Sequence, residues 1–344
     1  MTHVMRRPDD WHVHFRDGDV LRHTVPPIAT VFGRVVAMPN LRPPVTSAAQ
    51  AVAYAMRLRE HAGDAPHFVP LPSLYLTDLT TEGDLSDFKI SGGLAAKLYP
   101  ANTTTNSDAG VTDMDGLGPK LRAMEELGLV LQVHGETTDA DCDIFDRERR
   151  FIDEILAPVV TRFPSLRVVL EHVTSAHGVA FVKSAGPNVG ATITPHHLEV
   201  DRNAMFAGGL RPHLFCLPVP KTRSDRDALL DAVLGGAERF FLGSDSAPHP
   251  QHAKESACCA AGVYCGHHTL SHYAEVFARH GALDKLEAFA SERGADFYQQ
   301  ARNEGTVTLE ERPFEVPATL PYGREVVVPY RAGEQLGWQV VAST

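Results

Sequence analysis

Long hydrophobic runs, an even set of cysteines and clusters of basic residues are all missing from this sequence of 344 residues. A membrane-spanning helix needs about 18 or more consecutive apolar residues, and no stretch approaches that length, so we expect no membrane anchor. Arg6 and Arg7 are followed by Pro8, Asp9 and Asp10 instead of an apolar segment, which is not the pattern of a signal peptide. Five cysteines are an odd number in a long chain, and this favours reduced thiols and a cytoplasmic location.

Charge and loop motifs exclude further classes of protein. The formal net charge is -11, from 32 basic and 43 acidic residues, and this balance argues against a nucleic-acid-binding groove. No glycine-rich loop of the GxGxxG or GxxxxGK type follows a predicted strand, so no nucleotide phosphate site is indicated. Cys258, Cys259 and Cys265 lack the paired CxxC spacing of a structural zinc site, and we expect them to be small buried loop residues. Small-molecule chemistry is the remaining expectation.

Short apolar runs alternate with amphipathic helical stretches along most of the chain. The predicted strands are 12–14, 35–38, 68–71, 94–98, 129–133, 167–171, 191–194 and 240–243, and the predicted helices between them include 48–61, 118–127, 147–163, 176–184 and 225–234. Apolar strands separated by helices indicate parallel pairing with both faces covered. Eight such units predict an α/β fold, a (β/α)8 TIM barrel, with an open doubly wound sheet as the alternative. We expect one domain over 1–344, with an extended carboxy-terminal tail at about 305–344.

The segment WHVHFR at 11–16 sets two imidazoles two residues apart and an arginine two residues further on. In a β-strand, alternate residues share one face, so His12, His14 and Arg16 are predicted to point together. The sequence DGD at 17–19 is typical of a turn that ends the strand. An HxH pair alone is compatible with chance in a chain with 18 histidines, so a metal site needs partners elsewhere.

Such partners stand at the ends of other predicted strands. Lys97 lies in the strand at 94–98, His134 and His172 end the strands at 129–133 and 167–171, and Asp245 follows 240–243. The carboxyl ends of parallel barrel strands meet at one mouth, so these side chains would line one pocket with His12 and His14. Each has an ordinary alternative, because a histidine can end a strand with its hydrogen bonds satisfied and an aspartate can cap a turn. Their joint position at strand ends favours a site.

The chemistry of these side chains favours a metal centre. Neutral imidazoles and a carboxylate suit zinc, whose catalytic sites keep a position open for water. A lysine ammonium would repel cations, but a buried lysine has a lowered pKa and a free amine. If carbon dioxide carboxylated it, Lys97 would become an anionic ligand that bridges two metals, and we hold this as a hypothesis.

Motifs spread over nearly the whole chain match one enzyme family. They are RRPDDWH (6–12), MPN (38–40), AKLYPAN (96–102), VHGE (133–136), FDRE (145–148), ATITP (191–195), RPHL (211–214) and DSAPH (245–249). Through them the chain resembles the amidohydrolase superfamily and, within it, the short, homodimeric bacterial-type dihydroorotases of pyrimidine biosynthesis. The resemblance implies reversible cyclisation of N-carbamoyl-L-aspartate to L-dihydroorotate. The competing hypotheses are a hydantoinase or allantoinase on the same metal set and an inactive barrel that serves as a scaffold, which would predict missing ligands.

The resemblance also implies a metal role for each strand-end residue. His12 and His14, with Asp245 nearby, would bind the more buried of two divalent ions, expected to be Zn²⁺. His134 and His172 would bind the second ion, and carboxylated Lys97 would bridge the pair. A hydroxide between the ions would attack the ring amide carbonyl, with Asp245 as the general acid and base.

The remaining implied positions concern the substrate. Arg16, Asn40 and His249 would hold its carboxylate, backbone groups of Leu217, Ala261 and Gly262 would contact the pyrimidine ring, and Thr104 and Thr105 would lie on a mobile loop that closes over it. A guanidinium also pairs with a carboxylate in a planar, bidentate way, which supports Arg16 independently of the family. The chain departs from the family pattern at His196, where glutamine is expected, and at CCA (258–260) beside the ring contact.

Overall fold

The computed structural model describes residues 1–343 and has an α/β fold. The strands are β1 (Thr2–Arg6), β2 (Asp10–Val13), β3 (Arg34–Ala37), β4 (Val69–Pro72), β5 (Leu74–Tyr75), β6 (Ala95–Leu98), β7 (Val130–Val133), β8 (Val168–Leu170), β9 (Val189–Ile193), β10 (Phe240–Leu242), β11 (Thr306–Glu315), β12 (Leu320–Tyr322), β13 (Glu325–Val327) and β14 (Gln335–Ser343). The α-helices are α1 (Leu21–Thr24), α2 (Pro26–Ala29), α3 (Ala48–Glu60), α4 (Glu82–Ile90), α5 (Gly118–Leu127), α6 (Arg147–Phe151), α7 (Ala157–Arg162), α8 (Ala176–Ser184), α9 (Pro195–Glu199), α10 (Arg223–Leu234), α11 (Gln251–Lys254), α12 (Thr269–Arg279) and α13 (Arg293–Phe297). Among the helices within residues 1–343, none has the length and apolar character to span a membrane.

Parallel strands close into a barrel. β2, β3 and β4 pair in chain order, and so do β5 to β10, while only Ser73 separates β4 from β5, which together form one bent barrel strand. The last strand meets the first where the His14 N–H donates to the Ser246 carbonyl at 3.0 Å and the Asp245 N–H donates to the His12 carbonyl at 2.8 Å. Val13 and Ser246 also form a parallel bridge there. The (β/α)8 prediction is confirmed, and the closure excludes an open sheet.

Most predicted elements lie within two residues of their observed bounds. Helix α3 begins where Ser47 Oγ accepts a hydrogen bond from the Gln50 N–H at 3.3 Å, which is an amino-terminal cap. The helix predicted at 147–163 is interrupted, because a π-helical turn, Ile152–Leu156, separates α6 from α7. The strand predicted to run through Arg16 is wrong: β2 ends at Val13, and Arg16 has a left-handed φ of 66°.

Alternation along the barrel strands divides the core in two. An inner cluster consists of Trp11, Val36, Met38, Ala95, Val130, Val169, Phe241, Ala295 and Tyr298. The neighbouring positions Ala96 and Leu131 instead belong to the larger cluster that includes the surrounding helices. The Trp11 ring stacks on Tyr298 at 4.3 Å between centroids, so an aromatic pair directly before His12 fills the barrel interior.

The two ends of the chain form a separate sheet. β11 pairs with both β1 and β14 in antiparallel register, with Thr2 opposite Glu310. Val307 and Leu309 of β11 are fully buried in the main core. The segment expected as an extended tail is thus a paired sheet in contact with the barrel core, and β1 was not predicted.

Candidate active site

Two histidines and an aspartate meet at the seam between the first and last barrel strands. The Nε2 atoms of His12 and His14 lie 3.4 Å apart, and Asp245 Oδ1 lies 3.3 Å and 3.1 Å from them. All three residues are buried. Three donor atoms converge here because barrel closure sets His12 and His14 beside Asp245.

Glu171 fixes the orientation of His12, and the sequence did not single it out for this role. Its Oε2 lies 2.8 Å from His12 Nδ1 and accepts from Thr192 Oγ1 at 2.6 Å. Because the Glu171 carboxylate is hydrogen-bonded to His12 Nδ1, the ring turns His12 Nε2 toward His14 and Asp245. Carboxylates orient metal-binding histidines in the same way. The available signal was the acidic residue directly before the strand-end His172.

His134 and His172 lie on the other side of His12, and together with His12, His14 and Asp245 they form what we call the floor of the pocket. Their rings are 4.7 Å apart between centroids, and the His172 ring is 5.1 Å from that of His12. His134 Nε2 lies 3.0 Å from Glu136 Oε2. Nδ1 is therefore the ring nitrogen of His134 that could bind a metal ion. His172 Nδ1 is buried without a hydrogen-bond partner within residues 1–343. The four predicted histidines therefore lie in one contiguous group.

Lys97 is fully buried, and its charge acts on three of these histidines, His12, His134 and His172. Its Nζ has no hydrogen-bond partner among the described residues and lies 5.2 Å from the centre of the Tyr99 ring. Burial lowers the pKa of Lys97 to about 8, although the Glu171 and Asp245 carboxylates act in the opposite direction. A buried ammonium without a hydrogen bond is costly, so burial at this position increases the fraction of neutral amine.

Burial and charge give these groups different protonation states. Burial lowers the pKa of His14 to about 3 and lowers the pKa values of His134 and His172 below the ordinary histidine value. Burial acts on His12 too, but the Glu171 and Asp245 carboxylates outweigh it and raise the pKa of His12. Burial alone would raise the pKa of Asp245, yet His12 and His14 hold it well below its usual range. The neutral imidazoles of His14, His134 and His172 and the ionised carboxylate of Asp245 are the forms that bind metals.

Arg16, Asn40 and His249 form the rim of the pocket above the floor, and Arg16 gives this rim a positive charge. Arg16 Nε donates to the Pro248 carbonyl at 3.1 Å, and Arg16 Nη2 lies 2.9 Å from His249 Nε2. Arg16 Nη1 is buried without a hydrogen-bond partner within residues 1–343. Its N–H groups can therefore donate to an acceptor from outside the chain. Asn40 Nδ2 donates to the Thr105 carbonyl at 2.8 Å.

The loop that carries Thr104 and Thr105 lies over the mouth. Thr105 Oγ1 donates to the Ala261 carbonyl at 3.2 Å, and Asn106 Nδ2 donates to the Asn40 carbonyl at 3.1 Å. The enclosed cavity is only about 20 Å³. Predicted site residues that line it are His12, His14, Arg16, Asn40, Thr104, Thr105, His134, His172, Leu217, Asp245, Ala261 and Gly262. Lys97 and His249 are absent from this lining, although His249 contacts Arg16 directly.

Gly262 is a position that only glycine fits. Its φ is +150°, and a Cβ there would lie 2.7 Å from the Ala247 carbonyl and 3.0 Å from His249 Cδ2. Lys254, which the sequence did not reveal, holds the surrounding loops, because its Nζ donates to the carbonyls of Phe215, Ala260 and Gly262 at 2.7, 2.8 and 2.7 Å. A buried ammonium therefore positions the backbone on both sides of Ala261.

Two expectations on cysteine are wrong. Cys258 is exposed and Cys259 only half-buried, because the chain before Ala260 lies at the surface, whereas Cys265 is buried as expected. Cys216, by contrast, is buried and lines the cavity.

The chain is similar to known enzymes over nearly its whole length. The amidohydrolase family matches residues 10–310. A dihydroorotase of Vibrio vulnificus is 53% identical over 98% of this chain and 99% of its own length. The crystal structure of a Campylobacter jejuni dihydroorotase superposes with a TM-score of 0.91 at 36% identity, covering 99% of this chain and 98% of that one. An L-hydantoinase of Arthrobacter aurescens matches with a TM-score of 0.83 over 100% of this chain and 84% of its own, at 16% identity, a likeness of fold alone.

Proposed function

The chain belongs to the amidohydrolase family, and within that family we propose that it is a dihydroorotase, which reversibly cyclises N-carbamoyl-L-aspartate to L-dihydroorotate in pyrimidine (UMP) biosynthesis. The observation that carries the proposal is the 53% identity to the Vibrio vulnificus dihydroorotase over 98% of this chain. A hydantoin substrate has weaker support, because the likeness to the hydantoinase, at 16% identity, extends to the fold alone.

We propose that the floor of the pocket binds two divalent ions, with zinc favoured by the donors. His12, His14 and Asp245 would hold one ion, since their ligand atoms lie within 4.8 Å of one another. His134 and His172 would hold the second, and His172 Nδ1, which has no hydrogen-bond partner in the described part of the chain, supports this fit. Imidazole nitrogen and carboxylate oxygen are donors that zinc takes in catalytic sites. When bound, such ions supply Lewis-acid activation of water and of the amide carbonyl.

We propose that Lys97 is carboxylated and lies between the two ion sites. The neutral Nζ adds to carbon dioxide, which forms an N–C bond, releases one proton and leaves an anionic carbamate. The buried Nζ has no hydrogen-bond partner within residues 1–343, and its charge acts on His12, His134 and His172, which supports this assignment. An unmodified ammonium would face cations there, whereas a carbamate offers them oxygen ligands.

We assign the rim to the substrate. Arg16, with Asn40 and His249, would bind the α-carboxylate, because Arg16 Nη1, buried and without a partner within residues 1–343, offers a charge-assisted hydrogen bond. Backbone groups of Leu217, Ala261 and Gly262 would contact the ring, and their place in the cavity lining supports this. These contacts orient the amide relative to the floor and account for specificity toward an anionic ring.

Asp245 is the proposed proton carrier. In hydrolysis its carboxylate takes a proton from the attacking water and delivers it to the ring nitrogen as the carbon–nitrogen bond breaks. In cyclisation the ureido nitrogen attacks the β-carboxyl carbon, and Asp245 carries the proton from this nitrogen to the departing oxygen, which takes a second proton from solution and leaves as water. The low pKa of Asp245 supports the ionised form that starts hydrolysis.

The loop with Thr104 and Thr105 is proposed to act as a lid. Its contacts with Asn40 and Ala261 join it to the residues assigned to substrate, and closure would exclude water.

We also propose a homodimer in the cytoplasm. The likeness to dihydroorotases and the exposed Leu210 and Phe206, at 75% and 61%, support a subunit contact, and the five free cysteines support a reducing compartment.

The test is a parallel assay of the purified enzyme with L-dihydroorotate, N-carbamoyl-L-aspartate and hydantoin. We expect turnover of the first two and little or none of hydantoin. Asp245→Asn keeps the size of the side chain but removes the proton carrier, and kcat should fall by about 10²–10⁴. Asp227→Asn, at an exposed aspartate, is the matched control and should behave as wild type. Turnover of hydantoin without turnover of dihydroorotate would overturn the proposal.

A further inference from the structure

A second cluster of ligand-type side chains lies beside the active site. His196, His197 and Cys216 are all buried, and one ligand atom from each lies within 4.8 Å of the others. His196 and His197 lie in α9, directly after β9, and Cys216 approaches from the segment before Leu217. None of the three has a role in the proposed reaction.

One distance within the cluster matches that between two ligands on one ion. Cys216 Sγ lies 3.6 Å from His197 Nε2. A tetrahedral ion with nitrogen at ~2.0 Å and sulfur at ~2.3 Å separates these ligands by about 3.5 Å. The His196 and His197 rings are 4.5 Å apart between centroids, so the second imidazole is close enough to share the ion.

The unsatisfied ring nitrogens of His196 are a second, independent observation that points to a bound ion. Both its ring nitrogens are buried without a hydrogen-bond partner within residues 1–343, although an imidazole ordinarily has a donor and an acceptor to satisfy. His197, in contrast, is already oriented, with Nδ1 2.9 Å from Thr194 Oγ1. Its Nε2 lies 3.1 Å from the Pro218 carbonyl oxygen, to which Cys216 Sγ also donates at 3.4 Å, so a bound ion would replace these two hydrogen bonds.

We propose that His196, His197 and Cys216 form a third metal site, for a thiophilic d¹⁰ cation such as Zn²⁺ or Cd²⁺. Binding breaks the Cys216 S–H bond, forms a metal–sulfur bond and releases one proton for each ion bound. The three residues leave a fourth position for water, and Cys216 also lines the active-site cavity, which gives an ion a route to the cluster. The proposal holds whichever cyclic amide is the substrate.

Neighbouring charges set the order in which the sites fill. Lys221 and Lys254 act electrostatically on the Cys216 thiol, and their ammonium groups donate to backbone carbonyls nearby. Two cations disfavour a further ion, so we expect this site to fill after the floor of the active site.

The test uses the metal-loaded enzyme in a Cys142→Ser, Cys258→Ser, Cys259→Ser background, which leaves Cys216 and Cys265 as the only thiols. Titration with Cd²⁺ alone is followed by the ultraviolet thiolate-to-cadmium charge-transfer band and by proton release in weak buffer. We expect one equivalent of bound Cd²⁺ and one proton per subunit. Cys265→Ser, which removes the other buried thiol, should change neither signal.

Two variants decide the assignment. Cys216→Ser should abolish both the band and the proton release. His196→Gln, whose side chain is too weak a ligand for Cd²⁺, should weaken binding at least about tenfold, since even outer-shell partners contribute 10–100-fold. Exposed His280 supplies the control variant His280→Gln, which should titrate like the parent. A band that survives Cys216→Ser, no band in the parent, or equal affinity in His196→Gln would overturn the proposal.

Discussion

Lys97 Nζ has no hydrogen-bond partner within residues 1–343, and removal of this side chain tests the bridging role. Lys97→Ala should lose bound metal and activity together, because the proposed carbamate ligand is gone. Short carboxylic acids such as propionate should restore part of the activity by placing a carboxylate in the space that opens. Metal analysis after dialysis, with and without propionate, is the measurement. Full metal content in the untreated variant would contradict the bridge.

Arg16→Lys tests the substrate assignment without touching the metal floor. Lysine keeps the charge but cannot contact the Pro248 carbonyl, His249 and a carboxylate together as the guanidinium can. We expect KM for N-carbamoyl-L-aspartate to rise roughly 10- to 100-fold, as for the loss of a charged hydrogen bond, with metal content unchanged. Arg22→Lys, at an exposed arginine, is the control. Wild-type kinetics in Arg16→Lys would refute the assignment.

The sequence reveals donors more readily than it reveals the residues that orient them. His12, His14, Lys97, His134 and Asp245 stand in or after apolar strands, where topology alone brings them to one mouth. Glu171 and Glu136 act on the histidine nitrogens that point away from the proposed ions, and that relation depends on ring rotation, which no spacing rule encodes.

At the scale of elements, α11 is anchored by its last residue, Lys254. Lys254→Met should leave three carbonyls without their donor and lower the free energy of unfolding by about 2–4 kcal/mol. KM should rise as well, because the backbone beside Ala261 loses its support. Denaturant unfolding and steady-state kinetics measure both effects. Lys183→Met, at an exposed position, controls for loss of charge, and a Lys254→Met protein with wild-type stability and KM would exclude the anchoring role.

The loop over the mouth gives a second prediction at this scale. Thr104→Ala with Thr105→Ala should lower kcat roughly 5- to 30-fold, equivalent to one or two kcal/mol of lost hydrogen bonding in the closed state. Metal content should not change, since the loop lies above the floor. The exposed Thr161→Ala on α7 is the control. Unaltered turnover in the double variant would end the lid proposal.

Strand β2 shows where simple periodicity fails. Alternation places His12, His14 and Arg16 on one face, and all three do line the cavity, but the strand ends at Val13. Left-handed φ values at Arg16, His172 and Asp245, of 66°, 41° and 45°, aim these side chains instead. Such conformations are unfavourable for residues with a Cβ and depend on tertiary contacts, so the sequence alone did not predict them.

At the scale of the whole molecule, the barrel was predictable and the terminal sheet was not. Buried parallel strands must be apolar throughout, so each barrel strand carries a local signal in the sequence. The pairing of β1 with β11 joins opposite ends of the chain, and its polar, half-exposed strands have no such signal. The alternation of strands and helices therefore predicts the position of the site. The pairing of β1 with β11 is seen only in the structure.

The central claim is that residues from separate barrel strands hold a pair of ions on which turnover depends. The most direct test is to remove metal with a chelator, add Zn²⁺ back in the presence of bicarbonate, and measure bound metal and dihydroorotate hydrolysis on the same samples. We predict no activity in the metal-free protein and recovery that reaches its plateau at two equivalents per subunit. Metal-free protein that hydrolyses dihydroorotate at the original rate would contradict the claim.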